Sequence, residues 1–360
     1  NGRRRPLALV IIDGWGYSPR REGNAIALAH TPFYDEICAK YPKTLLEASG
    51  ARVGLPEGVT GSSEVGHMNI GAGRVIHSEV AKIKQSVRSG EFFENPVLTQ
   101  AMQRAKNSAL HLVGLLSDGE IHSSQENLFA LLRMAKKAGA RDVFVHAILD
   151  GRDVPRRTAD IYIEALEIKL ADIGLGQIAT LCGRHLAMDK DQNWERTARA
   201  YTMLVHAEGE RARDAVTAIR SSFLRGISDE FIQPIILENA TGNPVATVKN
   251  GDVVIFFNHR ADRMRQLVKS LAVAGGAEDF QPVGKPKIET VCLTEYDKAF
   301  ELPVAFPPAE ESNVLAQVFA RNGVLNCRLT ETEKYAHITY FFNGGSDLEH
   351  PCEQRILVPS

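Results

Sequence analysis

Residues 110–153 read LHLVGLLSDGEIHSSQENLFALLRMAKKAGARDVFVHAILDGRD. A short aliphatic run, Leu110–Leu115, ends in Ser117-Asp118-Gly119. A helical period follows over Gln125–Ala138, and a second run, Asp142–Leu149, ends in Asp150-Gly151-Arg152-Asp153. The runs do not alternate apolar with polar residues, which is the composition of strands covered on both faces. Strands of this kind separated by amphipathic helices predict a parallel sheet between helix layers, an α/β fold. The pattern extends outward. Further strand candidates are Leu7–Ile12, Gln177–Leu181, Asp252–Phe257, Lys287–Leu293 and His337–Phe342. Helical candidates are Asn24–Lys40, Thr158–Leu170, Asn193–Val205, Ala212–Leu224 and Ala309–Arg321.

Two stretches break the pattern and read as boundaries: the region around Val75–Ala81 and the Pro-rich Leu302–Ala309. They bracket a central block large enough to be a domain of its own. The chain has 360 residues, 44% apolar and 24% charged, with 42 Lys and Arg against 44 Asp and Glu, a net charge of −2. That balance removes any whole-chain electrostatic argument for nucleic acid or an anionic membrane. Five scattered cysteines, none in a C-x-x-C pair, argue against a structural zinc site and for a reduced compartment. The first apolar run stops at Asp13 after six residues, too short for a signal peptide, and no stretch approaches a membrane span. A soluble, cytoplasmic protein is expected, with neither nucleic-acid nor membrane partners.

Chemistry-bearing residues collect where strands end, the edge at which open α/β sheets bind ligands. Asp13 follows LALVII and precedes Gly14-Trp15-Gly16; a carboxylate there suits a metal ligand or phosphate site, and equally a simple turn. Residues 61–74, GSSEVGHMNIGAGR, combine four glycines, two serines and a histidine. Small residues let backbone N–H groups converge on an anion where a loop opens a helix, and a serine there can act as a nucleophile. Neither a dinucleotide nor a P-loop spacing is present. Three further strand ends carry arginine: Asp150-Gly151-Arg152-Asp153, Gly183-Arg184 and Asn258-His259-Arg260-Ala261-Asp262-Arg263. Forked donors repeated at equivalent positions predict a clamp for a small polyanion. Ser117-Asp118-Gly119 and His122 belong to the same rim, His122 as an acid–base or phosphate-contact candidate. Lys334 alone reads as solvated surface.

Taken in order, VIIDGWG, SEVGHMNIGAGR, LLSDGEIHS, DGRDVP, AMDKDQNWER, NHRADR, TETEKYAH and FFNGG resemble cofactor-independent phosphoglycerate mutase, the metal-dependent type within the alkaline phosphatase superfamily. The resemblance spans almost the whole chain. It implies an alkaline phosphatase-like parallel-sheet core, incomplete here, over residues 1–76 and 309–360, with an α/β phosphotransferase domain inserted over 77–308. It further implies interconversion of 3-phosphoglycerate and 2-phosphoglycerate without added 2,3-bisphosphoglycerate, by a monomer. Ser63 would be the nucleophile, and Asp13 and Ser63 would hold manganese. Two Mn2+ ions are implied, with their remaining ligands expected beyond Ser360. His122, Arg152, Asp153, Arg184, Lys190, Arg260, Arg263 and Lys334 would orient glycerate and the transferring phosphate.

The chain departs from the family pattern at four places: Ser62 stands where Asn is usual, Lys190 replaces Arg, His259 replaces an aromatic residue, and Arg156 replaces Pro. A lysine keeps the charge of an arginine but loses its fork. The chain opens on Asn1 without a Met and stops at Pro359-Ser360, so a piece of a longer protein, inactive alone, is expected. Two other readings remain open: another phosphatase or phosphomutase of the superfamily, and a non-catalytic phosphoglycerate-binding remnant.

Overall fold

The computed structural model describes residues 6–55, 57–273, 282–308 and 311–360. They separate into two compact units, one drawn from Asn1–Ser78 with Ala309–Ser360 and the other Glu79–Pro308. The second unit is thus inserted in sequence between the two parts of the first.

The inserted unit is built on one eight-stranded sheet. Its strands are β1 (Leu110–Leu116), β2 (Val143–Leu149), β3 (Gln177–Gly183), β4 (Glu210–Ala212), β5 (Ile235–Leu237), β6 (Val253–Phe256), β7 (Glu289–Thr294) and β8 (Val304–Phe306). They run in the order β4-β5-β3-β2-β1-β6-β7-β8. Every pairing is parallel except β3 with β5. All seven residues of β1 are buried, because helices cover both faces. Leu110, Leu112 and Leu116 enter one apolar cluster, while Val113 and Leu115 enter the other. The side-chain period of two sends neighbouring residues to opposite layers. Helix Gln125–Ala138 shows how the pattern closes: Leu128, Leu131, Leu132 and Ala135 are buried, and Gly139, at φ 83°, ends it by donating to the carbonyls of Ala135 and Lys136.

The five strand candidates within this unit form with shifts of one or two residues at their ends. Two in the other unit do not. Leu7–Ile12 forms no strand, and Leu7, Leu9, Val10 and Ile12 are exposed; the described residues provide no neighbouring strand to take its ladder of hydrogen bonds. His337–Phe342, rich in β-branched and aromatic residues, is instead a π-helical turn over His337–Phe341. The other unit's described sheet is one parallel pair, β9 (Asn326–Glu331) with β10 (Glu353–Val358). The helical candidate Asn24–Lys40 is split into Ala25–Leu28 and Pro32–Lys40, since Pro32 can begin a helix but cannot continue one. Ala309–Arg321 is reduced to Leu315–Arg321, and its first two residues lie outside the described ones. The boundary stretch Val75–Ala81 already turns helical at Glu79, where helix Glu79–Ser89 starts.

Candidate functional site

In the first unit the Gly- and Ser-rich stretch is a helix, Ser63–Ala72, with Ser62 as its N-cap accepting from the Val65 N–H at 3.4 Å. Two of its glycines serve helix packing and termination. A Cβ on Gly71 would lie 1.9 Å from the Phe342 carbonyl oxygen, so only glycine lets the two segments approach. Gly73 adopts the left-handed conformation that ends the helix. Ser63, at the first helical position, donates to Asp13 Oδ2 at 2.7 Å. Lys334, from the short turn Thr332–Lys334 after β9, donates to Ser63 Oγ at 3.4 Å and forms an ion pair with Asp13. The Lys334 ammonium, and then the Ser63 hydroxyl, hold Asp13 down to about 2, so Asp13 is ionised at neutral pH. Lys334 is therefore no isolated surface charge. His67 is buried, and its Nδ1 donates to the Ser63 carbonyl at 2.8 Å, one turn back along the helix.

Asp13 and Ser63 supply two oxygen donors, and the carboxylate of Asp13 is already engaged by Lys334. Among the described residues, no group of three or more His, Cys, Asp or Glu side chains gathers to hold a metal ion. Two donors do not fit a pair of manganese ions, each of which draws on several oxygen or nitrogen ligands.

In the inserted unit the loops after β1, β2, β3 and β6 lie side by side at the carboxyl edge. Here the strand order reverses: the chain passes β1, β2, β3 to one side and returns with β6 on the other, the position where α/β sheets bind ligands. Asp150 organises this edge. Buried at 2% exposure, it accepts from Ser117 Oγ at 2.6 Å, from the N–H groups of Arg152 at 3.1 Å and Asp153 at 3.0 Å, and from Arg184 Nη1 at 2.6 Å. Burial pushes its carboxyl up, but these donors together outweigh burial and hold it below the ordinary value. Arg184, also buried, is shared between Asp150 and Asp153, the latter at 2.8 Å. A Cβ on the preceding Gly183 would meet the Glu230 carbonyl oxygen at 2.3 Å, which seats Arg184 against the turn Asp229–Phe231.

His122 is buried, with Asp262 Oδ1 3.6 Å from Nδ1 and Asp153 Oδ2 4.0 Å from Nε2. Neither distance is a hydrogen bond, so His122 Nδ1 is buried without one, while Asp153 Oδ2 and Asp262 Oδ1 are held by the guanidinium groups of Arg184 and Arg260. Burial, then the charge of Arg184, lowers His122 to about 4, so its ring is neutral at pH 7. Arg260 is exposed and pairs with Asp262 at 3.1 Å; Arg263 donates to the Met188 carbonyl at 3.2 Å. Arg152 is exposed, 3.4 Å from Glu230, and Lys190 is exposed on Asp191 at 2.7 Å. The edge thus offers exposed guanidinium groups in front of buried, under-satisfied polar atoms, an arrangement suited to an anion that also carries hydroxyl groups.

Three carboxylates that shape this edge were not singled out from the sequence. Asp150 and Asp189 stood inside the quoted motifs; each accepts backbone N–H groups two to four residues on, a turn signal that their spacing carries. Asp189 additionally binds Gln266 Nε2 at 3.1 Å and Arg196 at 3.0 Å, fixing the loop that carries Lys190. Asp229 accepts from the N–H groups of Arg157, Thr158 and Ala159, some 70 residues away in sequence, and no local signal points to it.

Fold and site define an α/β protein with an inserted sheet unit whose strand-end loops present arginines around the point where strand order reverses. Residues 83–298, within that unit, match the family model described as BPG-independent PGAM N-terminus. The 2,3-bisphosphoglycerate-independent phosphoglycerate mutase of Desulforudis audaxviator is 50% identical over 359 residues, 99% of this chain and 70% of its own length. That of Moorella thermoacetica is 49% identical over 358 residues, with the same coverage. A crystal structure of Leishmania mexicana phosphoglycerate mutase at low cobalt concentration superposes with a TM-score of 0.67 at 30% identity, covering 93% of this chain and 64% of that one. The chain belongs to the cofactor-independent phosphoglycerate mutase family, and it spans about 70% of the length of these curated relatives. Among the described residues, no helix is long and apolar enough to cross a membrane.

Proposed function

We propose that this chain carries the phosphoryl-accepting serine and the glycerate-holding edge of an enzyme that interconverts 3-phosphoglycerate and 2-phosphoglycerate. The observation that carries the proposal is the Asp13–Ser63–Lys334 group, in which one hydroxyl is held by a carboxylate at 2.7 Å and faced by an ammonium at 3.4 Å. In the proposed reaction the bond between phosphorus and the glycerate oxygen breaks as the bond between phosphorus and Ser63 Oγ forms. The serine proton passes by way of Asp13 to the departing glycerate oxygen, so no proton is gained or lost. Lys334 offsets negative charge on Ser63 Oγ. The other hydroxyl of the same glycerate then attacks phosphoserine and the steps reverse. Arg152, Arg260, Arg263 and Lys190 are assigned to the carboxylate and phosphate. Arg184, His122 and Asp153 are assigned to the hydroxyls, where a neutral imidazole and a carboxylate can exchange hydrogen bonds and protons.

Incubation with 3-phosphoglycerate followed by peptide mass spectrometry tests the assignment. One phosphoryl group on the peptide containing Ser63, absent from Ser63→Ala, is the expected result. Release of inorganic phosphate at the rate of substrate loss would favour a phosphatase, and saturable binding without phosphoserine a binding protein. Titration of Mn2+ into this chain is expected to give binding no tighter than the ~1 mM range, since two donors leave most of the ion's ligands to water. A micromolar isotherm would show a ligand set that the described residues lack.

A further inference from the structure

We propose that the cavity between helix Glu79–Ser89 and the start of helix Gln125–Ala138 is a binding site for small amphipathic carboxylates, separate from the arginine edge. The cavity measures about 180 Å3 and is lined by Val80, Lys84, Val87, Ser124, Asn127 and His259, with Arg88, Glu120 and Glu126 at its sides. An apolar cavity of roughly 150 Å3 accommodates a benzene molecule, so a short-chain acid fits.

Part of its lining is polar and incompletely satisfied. Asn127 is 4% exposed and its Nδ2 donates to nothing; His259 is 4% exposed, and its ring nitrogens find only poorly aligned contacts with the carbonyls of Glu120 and Ile121. Buried polar atoms without partners cost free energy unless something supplies the missing bonds. These groups stand at the N-terminus of a 14-residue helix whose N-cap, Ser124, caps no N–H with its side chain. Helix N-termini favour negative charge.

The charges select the class. Lys84 is taken by Glu120 at 2.6 Å, and Arg88 is balanced in sign by Glu126, so the lining is neutral overall. A multiply charged phosphate finds no excess of positive charge here. A single carboxylate can take the hydrogen bonds of Asn127, Ser124 and the His259 N–H while its hydrocarbon lies on Val80 and Val87.

Amide-resolved NMR titration with butyrate, and with butylamine as the oppositely charged isostere, tests the site on the protein as it stands. Butyrate is expected to produce saturable shifts confined to residues around 80–88, 124–127 and 259, with a dissociation constant of about 1 mM for so small a ligand, and butylamine none. Asn127→Leu should weaken butyrate at least tenfold, and His259→Phe, which removes the ring nitrogens at nearly the same size, should weaken it likewise. Val87→Phe closes the cavity from its half-buried wall and serves the same purpose should His259→Phe not fold. Absence of saturable shifts, equal binding of butylamine, or unchanged affinity in Asn127→Leu would each overturn the proposal. A 3-phosphoglycerate titration of the same sample reads the Arg152 and Arg184 loops, which line no part of the cavity, so failure of the mutase reading leaves this result independent.

Discussion

Asp150 and Asp13 are two carboxylates in opposite settings, and their predicted responses differ. Asp150 is buried and satisfies four donors at once, among them the Arg184 guanidinium. Asp150→Asn removes its charge and leaves Arg184 leaning on Asp153 alone, so a loss of about 3–5 kcal/mol is expected, as for other broken buried pairs. Urea unfolding of the variant against the parent measures it, and a change under 1 kcal/mol would mean that the network is not a structural keystone. Asp13 is exposed, so its ion pair with Lys334 is expected to show in titration and not in stability. Lys334→Ala removes the largest influence that lowers Asp13, and the carboxyl should titrate nearer its ordinary 3.8 instead of about 2. Carbon-detected NMR of the Asp13 carboxyl from pH 6 to pH 2 reads this directly. An unmoved midpoint would place the cause elsewhere.

At the scale of elements, two glycines of one helix separate packing from propensity. Gly66 has open space where a Cβ would go, whereas a Cβ on Gly71 would overlap the Phe342 carbonyl. Gly66→Ala is expected to stabilise by up to about 1 kcal/mol through helix propensity. Gly71→Ala gains the same propensity but must push two segments apart, for a net loss of roughly 1–3 kcal/mol. Thermal melts of the pair should move in opposite directions, and parallel shifts would count against the close approach at Gly71. The elements also mark how far local sequence reaches. Runs such as Leu110–Leu116 are legible because all but His111 are apolar, with no polar alternation, and central parallel strands require that. His337–Phe341, rich in β-branched and aromatic residues, also reads as a strand yet coils, with Thr339 Oγ1 bonded to the Tyr335 carbonyl at 2.7 Å. A short apolar run does not say whether a neighbouring strand exists. The three-residue strands β4, β5 and β8 carry too few residues to show any period at all.

Across the inserted unit, three buried histidines share one consequence. His122 and His259 are lowered to about 4, and His146 well below the ordinary 6.5, in each case chiefly by burial. His146 Nδ1 meets Thr180 Oγ1 at 2.8 Å and its Nε2 meets His111 Nδ1 at 2.8 Å, in a line across β3, β2 and β1. All three rings are neutral when folded and bind a proton when unfolded below 6.5, so the unfolded state gains protons as pH falls. Stability is therefore complete above about pH 6.5 and declines below it, by at most about 1.4 kcal/mol per pH unit for each ring. Melting midpoints at pH 7, 6 and 5 should fall progressively, and His146→Gln should flatten the decline. A melting temperature independent of pH over this range would contradict neutral burial.

Sequence alone determined the α/β class, the run of motifs and the residue types of the site, because these depend on local composition and on short spacings such as Asp150 to Asp153. It also displayed the departures Ser62, Lys190 and His259. Tertiary structure decided the rest. It joined Lys334 to Ser63 across 271 residues, brought Asp229 to the loop before Ala159, and left His259 and Asn127 facing a cavity. It also turned an arginine read as a free clamp, Arg184, into a buried partner of two aspartates. Such outcomes turn on which groups lose water together, and desolvation belongs to the folded neighbourhood, not to any stretch of chain.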